Sequence, residues 1–173
     1  MDHGAWMMID GAINPGALPA IFRDDAGGSG AMAVLHGTDY AAIADSGPLL
    51  VRAGAGSHLM AQWRANELPA RHAWVFQSDR SDEEVAAFWR RRLFFLAPDG
   101  RRFWFRFADA RVMSRAHGDR ALPEGFWQGL SGVRFHPRQA VWSPVDEARE
   151  GADTGEFVIS EGQAQRIAGG AAS

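Results

Sequence analysis

Neither cysteine nor lysine occurs anywhere in the chain. The first absence removes disulfides, thiolate nucleophiles and cysteine-ligated zinc, and it is compatible with a reducing compartment. The second removes the lysine of a phosphate-binding P-loop and any Schiff-base chemistry. An excess of one charge is also missing: a net charge of -3 gives no global field to attract nucleic acid or an anionic membrane. No apolar run approaches the ~20 residues of a membrane span, and the opening MDHGAWMMIDG lacks the basic-then-apolar order of a secretory signal. The expectation is a soluble, cytoplasmic protein that uses no cofactor and binds neither nucleic acid nor membrane.

What is present suits one core. At 173 residues, with 46% hydrophobic positions, the chain can bury a single sizeable core but hardly two. Short apolar runs alternate with helical patterns. Residues 5–9 read as a strand, followed by Asn14-Pro15 as cap and first residue of a helix whose Leu18, Ile21 and Phe22 share a face. Residues 31–35 form a second strand, and Thr38 can cap a short helix carrying Tyr40 and Ile43, stopped by SGP at 46–48. Residues 49–52 make a third strand before AGAGS and a helix over 58–66. A fourth strand at 72–77 precedes Ser81-Asp82-Glu83-Glu84, a capping box for the helix bearing Val85, Phe88 and Trp89. This rhythm predicts a single α/β domain over residues 1–145, built on a mixed, mostly parallel sheet covered by helices.

After Leu93 the rhythm changes. Residues 93–97, the turn Pro98-Asp99-Gly100 and residues 102–107 predict an antiparallel hairpin. With period 2, Phe103, Phe105 and Phe107 face the core while Arg102, Trp104 and Arg106 face away. Asp109 then caps a helix over 110–116. A looser segment with Phe126, Trp127 and Leu130 follows, and residues 134–142 return as a last strand. Residues 146–173 form an acidic, Gly/Ala-rich tail, weakly held or dependent on a partner, with one apolar island, EFVIS.

Several groups of residues could carry chemistry. GAGSHL at 54–59 lies between strand and helix, where backbone N–H groups could cradle phosphate, but it lacks the third glycine of the dinucleotide fingerprint and suits a turn capped by Ser57. Asp10, His36 and Thr38 fall at strand ends, where an Asp/His pair could serve general acid/base or metal chemistry, or simply cap turns. A small α/β enzyme or nucleotide-binding domain using Asp10 and His36 is therefore one reading. Arg90, Arg91 and Arg92 read as a solvated helix end opposing the helix dipole. RRFWFRF lacks the glycines of an RNA-recognition strand. Trp104, on the arginine face, suits a protein interface, where Trp and Arg are enriched.

In this order, MMIDGA (7–12), AVLHGTDY (33–40), SGPLLV (46–51), WVFQS (74–78), FWRRRL (88–93), APDGRRFWFRFADARVM (97–113) and GFWQGLSGV (125–133) resemble the effector chaperones, or adaptors, of bacterial type VI secretion, which carry domain of unknown function 4123. The resemblance spans about residues 5–145. It implies a non-enzymatic cytoplasmic protein that binds a secreted effector and helps load it onto the valine-glycine-repeat spike protein. The family's Phe-Arg-Phe then Asp-x-Arg signature falls on Phe105, Arg106, Phe107, Asp109 and Arg111, with Ala108 and Ala110 where an aromatic residue and a proline are usual. The candidate protein-binding residues are thus Trp104, Arg106, Asp109 and Arg111. EFVISEGQAQRIAGG resembles the start of the C-terminal helical lobe that family members commonly carry, here cut short.

Overall fold

A computed structural model describes residues 4–24, 30–144 and 156–168. Its main sheet has five strands in the order β2-β3-β1-β4-β7: β1 (Gly4–Asp10), β2 (Ala31–Ala33), β3 (Pro48–Arg52), β4 (Trp74–Ser78) and β7 (Ser131–Arg134). The central strand is the apolar run of the N-terminus. Trp6, Met7, Met8 and Ile9 are all buried, so β1 shows no alternation because both of its faces are covered.

The expected mostly parallel sheet is not what forms. Every pairing in the main sheet is antiparallel: β1 with β3 and with β4, β2 with β3, and β4 with β7. The registers explain why a strand-and-helix rhythm misleads. Since β3 and β4 both oppose β1, they point the same way, joined through α2 (His58–Ala65) but with β1 inserted between them. Strands β1 and β2 likewise point the same way, joined through α1 (Ala17–Asp24), with β3 between. The connections cross over as in a parallel fold, but each neighbouring position is taken by an opposed strand, a split β-α-β arrangement.

A second sheet, β6-β5-β8, contains β5 (Phe94–Leu96), β6 (Arg102–Trp104) and β8 (Phe157–Val158). The expected hairpin is present: β5 and β6 pair antiparallel, Phe94 opposite Trp104, and Gly100 supplies the positive φ of 83° that closes the turn. The ladder stops at Trp104. Phe105 and Phe107 are fully buried, at about 1.5–3 kcal/mol each, whereas Phe103 is half-buried. Phe95 stacks on Phe105 at 4.6 Å, and Trp89 stacks on Phe107 at 4.8 Å, so the hairpin's inner face is welded to α3 (Asp82–Arg90).

Local capping follows the sequence closely. Ser57 accepts from the Met60 amide, Ser81 and Glu84 complete their capping box, and Asp109 accepts from the Arg111 amide at the start of α4 (Ala110–Gly118). GAGSHL is therefore the turn and cap that was one of its two readings. Other details differ. Helix α1 begins at Ala17, and Asn14, expected to cap a helix starting at Pro15, instead turns its side chain to the Asp10 and Arg71 carbonyls. Thr38 does not cap the short 3₁₀ segment Ala41–Ser46; its hydroxyl donates to the Leu35 carbonyl and accepts from the Tyr40 amide. The last strand begins at Ser131, with Trp142 returning only as a bridge to Val133. Phe22 is exposed rather than turned in with Ile21.

Arg92 reverses its expectation: it is fully buried, not part of a solvated helix end. Helix α3 ends at Arg90 and the chain turns inward. The Arg92 guanidinium donates to the carbonyls of Phe126 at 2.9 Å and Phe88 at 3.0 Å and lies 3.3 Å from the Phe88 ring centroid. Three consecutive arginines look alike in sequence, but Arg91 is exposed, Arg90 half-buried and Arg92 buried.

Of the tail, residues 146–155 and 169–173 lie outside the described residues. The EFVIS island docks: β8 pairs in parallel with β5, Phe157 and Ile159 are buried, and α5 (Glu161–Ile167) follows with a Ser160/Gln163 capping box.

Candidate functional site

The hairpin's outer face carries the first part of the site. Because Phe94 and Trp104 are opposite one another in the ladder, their side chains emerge together, with ring centroids 5.1 Å apart and edge to face. Tyr40, from the turn before the 3₁₀ segment, joins them at 5.2 Å from Trp104 and 5.5 Å from Phe94. Trp104 keeps 38% of its surface exposed, as does Tyr40. Arg102 lies over the Phe94 ring at 4.5 Å. This is a half-exposed aromatic cluster with fixed internal geometry, which lowers the entropy lost when a partner covers it.

Beyond Trp104 the backbone leaves the ladder. The Phe107 amide donates to the Phe105 carbonyl at 2.9 Å, closing a three-residue turn with Arg106 at its tip. Both flanking phenylalanines are held inside, so Arg106 is pushed outward. Its guanidinium donates to the Asp10 carboxylate at 2.7 Å, with the arginine half-exposed and the aspartate only 7% exposed. Asp10 also accepts from the amides of Ala12 and Ile13, which folds the chain at the end of β1.

A second pair stands beside the first. Arg111 Nε and Nη2 donate to the two carboxylate oxygens of Asp109 at 3.0 and 2.9 Å, a bidentate contact. Asp109 is nearly buried at 4% side-chain exposure, while Arg111 shows 59%. Burial would raise the Asp109 pKa, but the hydrogen bonds from Arg111, its charge and that of Arg106 outweigh it and hold the carboxyl below its ordinary value. The Arg111 pKa is raised in turn, first through the hydrogen bond to Asp109. Two buried anions thus anchor two outward-facing cations.

The surrounding frame is backbone. The Ala110 amide donates to the His72 carbonyl, and the Asn14 side chain bridges Asp10 and Arg71, donating to both carbonyls and accepting from the Arg71 amide. Burial, then the Arg111 charge, lowers the His72 pKa. Neutral His72 adds no further cation.

All four predicted interface residues, Trp104, Arg106, Asp109 and Arg111, fall on this one region. Asp109 does so as the buried support of Arg111. Asp10 and His36 are not brought together: Asp10 is held by Arg106, and His36 is exposed in a turn. Among the described residues no group of three or more histidine or acidic side chains could hold a metal ion. Sequence reasoning missed Tyr40 as the third ring and Asn14 as the bridge. The lone tyrosine, in a chain otherwise rich in Phe and Trp, was the available signal for the first; nothing local marked the second.

The model of a family described as a domain of unknown function, DUF4123, matches residues 5–122. The chain belongs to that family. The match contains both ion pairs and all three rings of the aromatic cluster. No curated protein and no solved structure matches the chain.

Proposed function

We propose that the chain is a non-enzymatic adaptor of type VI secretion, a cytoplasmic chaperone that holds an effector protein and helps load it onto the valine-glycine-repeat spike. Family membership supports the reading through the resemblance of its motifs, and the observation that carries it is the site itself. Trp104 and Tyr40 offer fixed, half-exposed rings. Arg106 and Arg111 offer guanidinium edges held in place by buried carboxylates, which suits recognition of a protein surface, where binding energy concentrates in Trp, Tyr and Arg. Arginines already restrained lose less side-chain freedom on binding than free ones.

The test is co-purification of the tagged chain with its cognate effector from the native cell, combined with secretion of that effector. Trp104→Ala and Arg106→Ala should each weaken capture by more than about 1 kcal/mol while the protein still folds. A hydrolase, nucleotidyl-transfer or metal-dependent turnover that disappears in Asp10→Ala and His36→Ala would overturn the proposal, as would effector secretion undiminished by loss of the chain.

A further inference from the structure

The turn at Arg71 and His72 belongs to the same corner of the molecule as the two ion pairs. Asn14 takes the Arg71 amide on its side-chain oxygen and gives its side-chain N–H to the Arg71 carbonyl, both at 2.9 Å. His72 is held in the left-handed region, at φ 53°, with its amide donating to the Asn66 side chain at 2.9 Å and its carbonyl accepting from the Ala110 amide, one residue before Arg111. A side chain in that region is strained, and the conformation persists only where its surroundings impose it. Three arginines thus share one frame. Asn14 ties Arg71 to the end of β1, Asp10 at that end holds Arg106, and the Ala110 amide ties His72 to the start of α4, where Arg111 sits.

The charges of this corner are sorted by depth. Asp10 and Asp109 lie inside and Arg106 and Arg111 outside, so each pair is a dipole whose positive end meets solvent. Arg71 is exposed and has no acidic partner among the described residues, so it adds an uncompensated positive charge. Burial first, then the charges of Arg111 and Arg71 acting against that of Asp109, lower the His72 pKa, so both cations reach the same ring. An arginine only donates hydrogen bonds. Arg106 uses Nη2 on Asp10 and Arg111 uses Nε and Nη2 on Asp109, which leaves Nε and Nη1 of Arg106 and Nη1 of Arg111 for an acceptor from outside. On the apolar flank, Ile43 is 53% exposed and its amide donates to the Tyr40 carbonyl at 3.0 Å.

We propose that the segment of the partner protein held at this site is acidic, with carboxylates that meet Arg71, Arg106 and Arg111 and a neighbouring apolar side chain that covers Trp104 and Tyr40. The inference rests on the adaptor reading for which protein carries the segment and names the chemistry that the site reads in it. An incoming carboxylate finds guanidinium edges already oriented by the carboxylates behind them, and a basic segment is repelled. Phosphate would also suit a guanidinium, but the chain's net charge of -3 opposes a long polyanion such as nucleic acid.

The probe is a fluorescein-labelled peptide in which glutamates flank a leucine, matched by a peptide with glutamine at every glutamate position. The full-length chain should bind the glutamate peptide at least about tenfold more tightly, an advantage that shrinks as salt is added. Arg71→Glu should weaken that binding about fivefold or more, whereas Arg23→Glu, an equal change in net charge on the exposed last turn of α1, should weaken it less than about twofold. Equal binding of the two peptides by the unaltered chain would overturn the proposal, and that comparison needs no variant to fold. So would equal losses in Arg71→Glu and Arg23→Glu, or equally tight binding of a single-stranded oligonucleotide of the same charge as the glutamate peptide. If Arg71→Glu captures the cognate effector as the unaltered chain does while Trp104→Ala does not, the adaptor reading stands and the acidic-segment inference falls. If effector secretion survives loss of the chain while the peptide results hold, the adaptor reading falls and the chemistry of the site stands.

Discussion

Arg106 donates to Asp10 across 96 residues of sequence, and this 2.7 Å contact joins a residue proposed to recognise a partner to one that could have served as a catalytic base. The carboxylate also takes the amides of Ala12 and Ile13. Asp10 is thereby a fixed support for the turn after β1 and for the exposed arginine above it.

Asp10→Ala should consequently destabilise the fold by about 1–3 kcal/mol, because two backbone donors and a guanidinium lose their acceptor. His36→Ala, on an exposed turn, should stay within about 0.5 kcal/mol of the unaltered chain. Urea denaturation of both variants checks the contrast, and equal losses would contradict it.

Trp104→Ala should lower stability by about 0.5–1.5 kcal/mol, the worth of its edge-to-face contacts with Tyr40 and Phe94. A fully buried tryptophan would cost about 3–5 kcal/mol. A melt showing the larger loss would make Trp104 core instead of recognition surface.

Acid stability has a defined sign. The folded Asp109 pKa lies below its ordinary 3.8, so its contribution is full above that value and is lost as pH falls through the folded one. His117, pressed against Trp127, Phe135 and Trp142, has its pKa lowered from 6.5 by burial. Stability tied to neutral His117 is full above 6.5 and declines as pH falls from there toward the folded value, because the unfolded chain takes the proton first. Denaturation across pH should therefore show a flatter slope below about pH 6.5 in His117→Gln, and below about pH 4 in Asp109→Asn.

Arg92→Lys should cost about 1–3 kcal/mol despite keeping the charge. An ammonium cannot match the planar fork that reaches the Phe126 and Phe88 carbonyls and stacks on the Phe88 ring. Thermal melting checks it, and an unchanged midpoint would show that charge alone suffices.

Features set by neighbouring residues were legible in the sequence. The caps at Ser57, Ser81 and Asp109, the turn at Gly100 and the inward Phe105 and Phe107 depend on spacings of a few positions, so period and composition revealed them. Strand direction was not legible, because β3–α2–β4 keeps the same local pattern whether β1 is inserted or not. The Asp10–Arg106 pair was hidden for a related reason: both ends were singled out, but nothing local ties residues so far apart. Arg92 failed differently, since a run of three arginines gives no sign of where the helix stops and the chain turns inward.

The strand in the middle of the main sheet precedes both of its neighbours in chain order, so it leaves the ribosome before either of them. Trp6, Met7, Met8 and Ile9 can be covered only after β3 and then β4 have emerged, and at about 5–20 residues per second that takes several seconds. During that interval the most apolar stretch of the N-terminal region is a lone strand with two open edges. The nascent chain therefore passes through a stage that invites self-association, and its yield in the cell should depend on how quickly residues 48–78 follow the first ten.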